Sequence, residues 1–208
     1  MNTGVPKQFL LLSGEPVLMH TLRIFHQFDP KMTLFVTLPG SHIPYWEQLC
    51  RNHTFNIPHQ IIKGGDTRFG SVKNALEQIG GEGLVAIHDG VRPLVSIETL
   101  KHTFEEAGKS GNAIPVIRMQ ESIRETGPSG SKEVTRDNLW IVQTPQVFRK
   151  ELIKKAYNSA PSRNYTDDAT VLETLGETIH LVEGNPENIK ITFLSDLRCA
   201  EAILGNRD

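Results

Sequence analysis

Two cysteines, Cys50 and Cys199, are the only thiols in this 208-residue chain. They stand far apart and outside any paired motif, which excludes a disulfide framework and a cysteine-built zinc site. They read as thiols of a reducing compartment. Basic side chains are not in excess either: 22 Lys and Arg face 24 Asp and Glu, a formal net charge of -2. A nucleic-acid binder would carry a basic surplus or stripe, so that class is excluded. Long apolar runs are missing too. Phe9-Leu10-Leu11-Leu12 is four residues long and follows Lys7, too short for a membrane span or the apolar region of an export signal. A cytoplasmic protein is expected. No internal repeat, low-complexity tract or convincing linker interrupts the chain, so a single domain over 1–208 is expected.

What the chain holds is an alternation of strand-like and helix-like segments. That predicts an α/β fold, a mostly parallel sheet flanked by helices. Strands are predicted at Leu34 to Leu38, closed by Pro39-Gly40, and at Ile61-Ile62, closed by Gly64-Gly65. Others fall at Leu84 to Ile87, Ala113 to Ile117, Ile179 to Val182 and Ile189 to Thr192. Between them, Pro16 opens a helix with Leu18, Leu22 and Phe25 on one face. A second begins at Arg68, carries Phe69, Val72, Leu76 and Ile79, and stops at Gly80-Gly81. A third is capped by Ser96 and turns Ile97, Leu100 and Phe104 inward. Two more cover Lys150 to Asn158 and Ser195 to Leu204.

One stretch breaks the rhythm. Residues 118–138 are polar, with Gly127-Pro128-Ser129-Gly130 between Glu121-Ser122-Ile123-Arg124 and Glu133-Val134-Thr135-Arg136. That pattern predicts a β-hairpin. A polar hairpin cannot build a core of its own, so it either lies against something else, such as a second subunit, or is a loose surface excursion.

The chemistry-bearing residues gather where strands end. His88-Asp89-Gly90-Val91-Arg92-Pro93 follows the apolar Leu84 to Ile87 directly, and in open α/β sheets ligands collect beyond the carboxyl ends of strands. An acid and a base three residues apart suit a cation plus a phosphate; a salt-bridged loop is the bland alternative. Asp89 is the best metal candidate, because magnesium takes one or two carboxylates together with substrate phosphates, and no second acid adjoins it. Gly64-Gly65-Asp66-Thr67-Arg68-Phe69-Gly70-Ser71 offers glycines that let backbone approach a flat ligand or phosphate. Asp66 can cap the helix that follows, whose N–H groups favour an anion or a base edge. A plain strand-to-helix turn explains the glycines and Asp66 too, but explains Arg68 and Ser71 less well.

Lys7, after a loop containing Gly4, can point a compact charge into a site or lie on the surface. Arg136, Gln143-Thr144-Pro145-Gln146, Thr166-Asp167-Asp168 and Asn188-Ile189-Lys190-Ile191-Thr192 each set a basic or hydroxyl residue at a turn or strand end. Thr166 suits a helix cap, and Lys190 alone could be a solvated strand residue. Arginine forks and lysine point charges are what phosphate binding requires. No Ser-His-Asp order, histidine metal cluster or P-loop competes with them.

Taken in order, Pro6-Lys7-Gln8, Gly64 to Val72, His88 to Pro93, Gln143 to Gln146, Thr166 to Asp168 and Asn188 to Thr192 resemble the 2-C-methyl-D-erythritol 4-phosphate cytidylyltransferases, over residues 4–204. The resemblance implies a Rossmann-like nucleotidyltransferase fold with a protruding hairpin arm over 118–138. It also implies a magnesium-dependent enzyme that joins CTP to methylerythritol phosphate and releases pyrophosphate, in non-mevalonate isoprenoid synthesis. On this resemblance Lys7 stabilises charge on the α-phosphate, while Arg136 and Lys190 hold the sugar phosphate for in-line attack. Gly65, Asp66 and Ser71 read the cytosine and its ribose, and Asp89 lies near metal and substrate. Arg92, Thr144, Thr166 and Asp167 line the substrate pocket. Arg136 serves the partner subunit's site, which implies a homodimer.

Ribitol-5-phosphate cytidylyltransferase shares the nucleotide half, but Glu121 to Glu125 and Asn188 to Thr192 lean toward the methylerythritol enzyme. One departure stands out. Family members begin with a strand and a glycine-rich loop ending in Arg-Met, and here Met1 stands where that Met belongs. The expectations are fewer contacts to the CTP phosphates, an unpaired sheet edge and poor turnover. A second reading is a cytidine-nucleotide-binding module or dimer partner that has lost turnover.

Overall fold

After a one-turn helix at Lys7–Phe9 comes a tight hairpin, turned by Ser13 and Gly14, which both adopt positive φ. It pairs β1 (Leu11–Leu12) antiparallel with β2 (Glu15–Pro16) and buries Leu12 completely. The computed structural model describes residues 5–161 and 165–206, so Met1 and Gly4 lie outside the described residues. Pro16 is the N-cap of α1 (Val17–Phe28), and Leu18, Leu22 and Phe25 are buried as their spacing predicts. Then come β3 (Phe35–Leu38), α2 (Ile43–Asn52), β4 (Gln60–Lys63), α3 (Arg68–Gln78) and β5 (Leu84–Ile87). The Ser96 hydroxyl accepts the Thr99 N–H to cap α4 (Ile97–Ser110), and left-handed Gly111 at φ 93° ends it before β6 (Asn112–Arg118). The arm is β7 (Ile123–Gly127) and β8 (Gly130–Val134), in the register its turn residues predict. After it follow β9 (Trp140–Val142), β10 (Gln146–Arg149), α5 (Lys150–Ser159), α6 (Asp168–Glu173), β11 (Leu181–Glu183) and α7 (Leu194–Leu204).

The main sheet has the order β11-β6-β10-β5. β11 runs parallel to β6, whereas β10 lies antiparallel between β6 and β5. β9 also runs antiparallel to β6. β9 and β10 thus form one interrupted return strand along β6, broken at the cis Thr144–Pro145 bond. The expected α/β architecture is present, but its sheet is mixed where parallel pairing was expected to dominate. The return strand is the cause: its apolar residues fall into two short runs, Trp140-Ile141-Val142 and Val147-Phe148, each too short to register as a strand by periodicity. β3 and β4 form a separate parallel pair.

Other expectations need correction. Ile189 to Thr192 is not a strand: Ile191 donates its N–H to the Val91 carbonyl at 2.9 Å, but no ladder forms. Instead Asn188 and Ile191 are both pulled into the interior. α2 goes unsignalled because only Trp46 and Leu49 are buried on it, too narrow a stripe to read. α3 ends at Gln78 with Ile79 as its C-cap, before the two glycines. Five apolar clusters fill the interior among the described residues, and one of them matters most for function. There Leu12, Val17, Val91, Leu94, Ile191 and Ala200 lock the first hairpin, the loop after β5 and the segment before α7 together.

Candidate active site

The carboxyl ends of β5 and β11 point the same way, and the start of β10 lies among them. Gln146 pairs with Ile87, so Thr144 falls beside the His88-Asp89 turn. The Asp89 N–H donates to Thr144 Oγ1 at 3.1 Å, and that oxygen lies 3.0 Å from His88 Nδ1. The Arg92 carbonyl beside Nε2 can only accept, so in the neutral ring Nδ1 is the acceptor and the Thr144 hydroxyl donates to it. The imidazole proton is thereby assigned to Nε2, which donates to the Arg92 carbonyl at 2.9 Å. Burial pushes the His88 pKa down to about 4, so the ring is neutral near neutral pH. A neutral histidine staples the turn that presents Asp89 and Arg92.

The Asp89 carboxylate gathers two cations. Its Oδ2 lies 3.1 Å from Lys190 Nζ and 3.2 Å from Arg92 Nε. Burial works to raise its pKa, but Lys190 and then Arg92 outweigh it and hold the group below the usual carboxylate range. Arg92 also donates through a terminal nitrogen to the Asn188 carbonyl at 2.7 Å. The Lys190 side chain is 44% exposed against 15% for Asp89, so the ammonium sits at the water-facing side of the cluster. A carboxylate that anchors two cations, one of them open to solvent, can receive a phosphate.

Beyond β4 the glycine turn has a local explanation. A Cβ on Gly64 would lie 2.8 Å from Ser71 Oγ, and one on Gly65 would lie 3.0 Å from the Gly70 carbonyl carbon. The glycines therefore let α3 settle on its own loop. Ser71 Oγ accepts the Gly65 N–H at 3.1 Å. Thr67, not Asp66, caps α3 by accepting the Gly70 N–H at 3.0 Å; Asp66 is left exposed. Arg68 turns inward and forks onto Asp168 at 2.9 and 2.5 Å, and the Tyr157 hydroxyl donates to the same carboxylate at 2.5 Å. Asp168 is fully buried. Burial and then Asp168 push the Tyr157 phenol up; for Arg68, Asp168 overrides burial and raises its pKa as well.

Asp167, not Thr166, caps α6, accepting the Thr170 N–H at 3.0 Å, while Thr166 lies exposed just before it. The wholly buried Gln146 links this turn to β10. It donates to Asp167 at 2.8 Å and accepts the Asp168 and Ala169 N–H groups at 2.9 and 2.8 Å. Asp89, Arg92, Thr144 and Lys190 are thus brought into direct contact, with Asp167 joined through Gln146. Gly65, Asp66 and Ser71 form their own turn. Lys7, in a one-turn helix ending at the buried Phe9, is outside the bonded cluster among the described residues. Arg136 is exposed at the base of the arm, where its guanidinium donates to the Gln120 carbonyl. Among the described residues no three His, Cys, Asp or Glu side chains converge as a metal cage.

Sequence reading gave no role to the buried amides of Gln143, Gln146 and Asn188, or to the half-buried Asn185. Their one signal was polar residues flanking Pro145 and Pro186 beside short apolar segments.

Comparison with known proteins bears on this site directly. The family model for 2-C-methyl-D-erythritol 4-phosphate cytidylyltransferase matches residues 1–206. The chain belongs to that family. A 2-C-methyl-D-erythritol 4-phosphate cytidylyltransferase of Bacteroides fragilis is 49% identical over 204 residues, covering 98% of this chain and 93% of that protein. The Geobacillus kaustophilus protein of the same name is 37% identical over 210 residues. The crystal structure of the Thermus thermophilus cytidylyltransferase superposes with a TM-score of 0.84 at 32% identity, covering 96% of this chain and 94% of that one. A bifunctional protein from Campylobacter jejuni matches with a TM-score of 0.80, and there the chain accounts for 50% of the longer polypeptide. No helix among the described residues is long and apolar enough to cross a membrane.

Proposed function

We propose that this chain transfers a cytidylyl group from CTP to 2-C-methyl-D-erythritol 4-phosphate, releasing pyrophosphate, as a nucleotidyltransferase of non-mevalonate isoprenoid synthesis in the cytoplasm. The observation that carries it is the Asp89–Lys190–Arg92 cluster at converging strand ends, in a chain of this family. An oxygen of the polyol phosphate attacks the α-phosphorus of CTP opposite the leaving pyrophosphate. Both reactants are anions, so alignment and positive charge do most of the catalysis.

Lys190 and Arg136 hold the polyol phosphate, with Arg136 supplied by the partner subunit. Lys7 neutralises the α-phosphate as charge builds. Gly65 and Asp66 read the cytosine and ribose through a loop shape that Ser71 maintains. Arg92, Thr144, Thr166 and Asp167 wall the pocket, with the Thr144 hydroxyl already committed to Asp89 and His88. A magnesium ion fits as a passenger of the triphosphate: Asp89 Oδ1 is the carboxylate oxygen not used by Lys190 or Arg92, and a single such ligand suits that ion. Bound there, it would neutralise phosphate charge.

A homodimer through the arm is supported by exposed apolar side chains at its base. Trp140, Ile141 and Val142 are 39–40% exposed, and Arg118 stacks over the Trp140 ring at 4.7 Å. Monomers leave such surface for a partner to cover.

Purified protein given CTP with each polyol phosphate in turn tests the proposal. Pyrophosphate and the cytidine diphospho-methylerythritol are expected. Product from ribitol 5-phosphate alone would favour the rival sugar, and CTP binding without pyrophosphate release would favour a binding module.

A further inference from the structure

Lys190 belongs to no strand or helix, for residues 188–192 run irregularly between β11 and α7. Its ammonium is nonetheless held 3.1 Å from Asp89. Two fully buried neighbours fix the segment. Ile191 bonds the Val91 carbonyl, as described above. Asn188 does more: its Nδ2 donates to the Thr144 carbonyl at 2.8 Å and to Gln143 Oε1 at 3.3 Å. Its own carbonyl accepts the Arg92 guanidinium. One side chain and its backbone thus join the segments that carry Thr144, Arg92 and Lys190.

Gln143 is held in turn. It donates to the Asn185 carbonyl at 2.9 Å and presses on Gly184, where a Cβ would fall 2.4 Å from Gln143 Oε1. Rotating the Asn188 amide would set its oxygen against the Thr144 carbonyl, so its orientation is determined. Asn188 Oδ1 is buried with no hydrogen-bond partner among the described residues. An apolar side chain here would leave the Thr144 carbonyl and Gln143 Oε1 without this donor, so the amide is required for the bonds it makes and not for filling space.

We propose that Asn188 is a positioning residue, its buried amide setting where the Lys190 ammonium and the Arg92 guanidinium stand for the polyol phosphate. This rests on the function proposed above. Asn188→Ser shortens the side chain and takes away the amide, while Lys190→Gln removes the charge. For wild type, each variant and the double variant, kcat, KM for CTP and KM for the polyol phosphate are measured, with the melting temperature alongside.

Asn188→Ser is expected to raise the polyol-phosphate KM by about fivefold or more and leave the CTP KM within about twofold. Added to Lys190→Gln, it should cost less than about twofold further in kcat/KM, because the two act on one contact. Full additivity, equal shifts in both KM values, or a lowered melting temperature with unchanged kinetics would each overturn the proposal. If Asn188→Ser does not fold, Gly184→Ala, whose Cβ would push on the Gln143 amide that Asn188 bonds, is measured in its place against the same outcomes. If the wild type makes no product, the proposed function fails by itself. Crystal structures of wild type and variant then decide the inference, and Lys190 standing equally close to Asp89 in both overturns it.

Discussion

His88 is a histidine whose proton location follows from its neighbours. Thr144 donates to Nδ1, Nε2 donates to Arg92, and burial pulls the pKa to about 4. An unfolded chain would hold this histidine near its ordinary value of about 6.5. Between those values the unfolded state takes up a proton that the folded state refuses, so stability falls as pH drops from about 6.5 toward 4. Asp89 adds a further loss only below the ordinary carboxylate range of about 3.9, because its own pKa is depressed. Melting curves across this window should therefore slope less for His88→Gln than for the native chain; equal slopes would contradict a buried neutral imidazole.

The two thiols differ as well. Burial pushes Cys50 up to about 11, whereas Cys199 is exposed on α7. A disulfide reagent at neutral pH is expected to modify Cys199 well before Cys50, since the thiolate is the reactive form and must be reachable. Mass spectrometry of partly labelled protein reads the order.

At the scale of elements, α3 and α6 are clamped by Arg68, Asp168 and Tyr157. Removing one partner of a buried ion pair strands the other, which costs about 3–5 kcal/mol. Arg68→Ala should sit in that range by urea unfolding, because it strands the fully buried Asp168 carboxylate. Asp168→Ala should cost less, since the Arg68 side chain it strands is 36% exposed and water can reach its charge. The reverse order would mean that the clamp is not what joins the helices. This pair also shows where sequence reading stopped. Arg68 was conspicuous because a simple turn did not explain it, yet its partner lies far along the chain, beyond the reach of any local pattern. Likewise Asp66 looked like the cap of α3, but the backbone gives that role to Thr67, one residue on. A cap is decided by which side chain faces the free N–H groups, and a turn rich in glycine does not announce that direction.

For the whole molecule, the arm decides whether one subunit completes another's site. Both of its strands are largely exposed, and Arg136 bonds only within the arm among the described residues. If Arg136 serves the partner, Arg136→Ala and Lys190→Ala will each be nearly inactive alone. Unfolded and refolded together in equal amounts, they form mixed dimers in which one site regains both cations, so about a quarter of native activity should return. No recovery, with mixed dimers verified by mass, would place Arg136 in its own subunit's site or outside catalysis.

The order of motifs, the positions of most helices and the arm were legible in the chain because each depends on neighbours a few residues apart: periodic apolar faces, caps and turn residues. Which residues touch was not. Lys190 reaches Asp89 only because Asn188 and Ile191 are buried, and Thr144 meets His88 only because β10 runs back between β5 and β6. Those contacts join segments remote in sequence, and only packing of the whole chain brings them within hydrogen-bond distance.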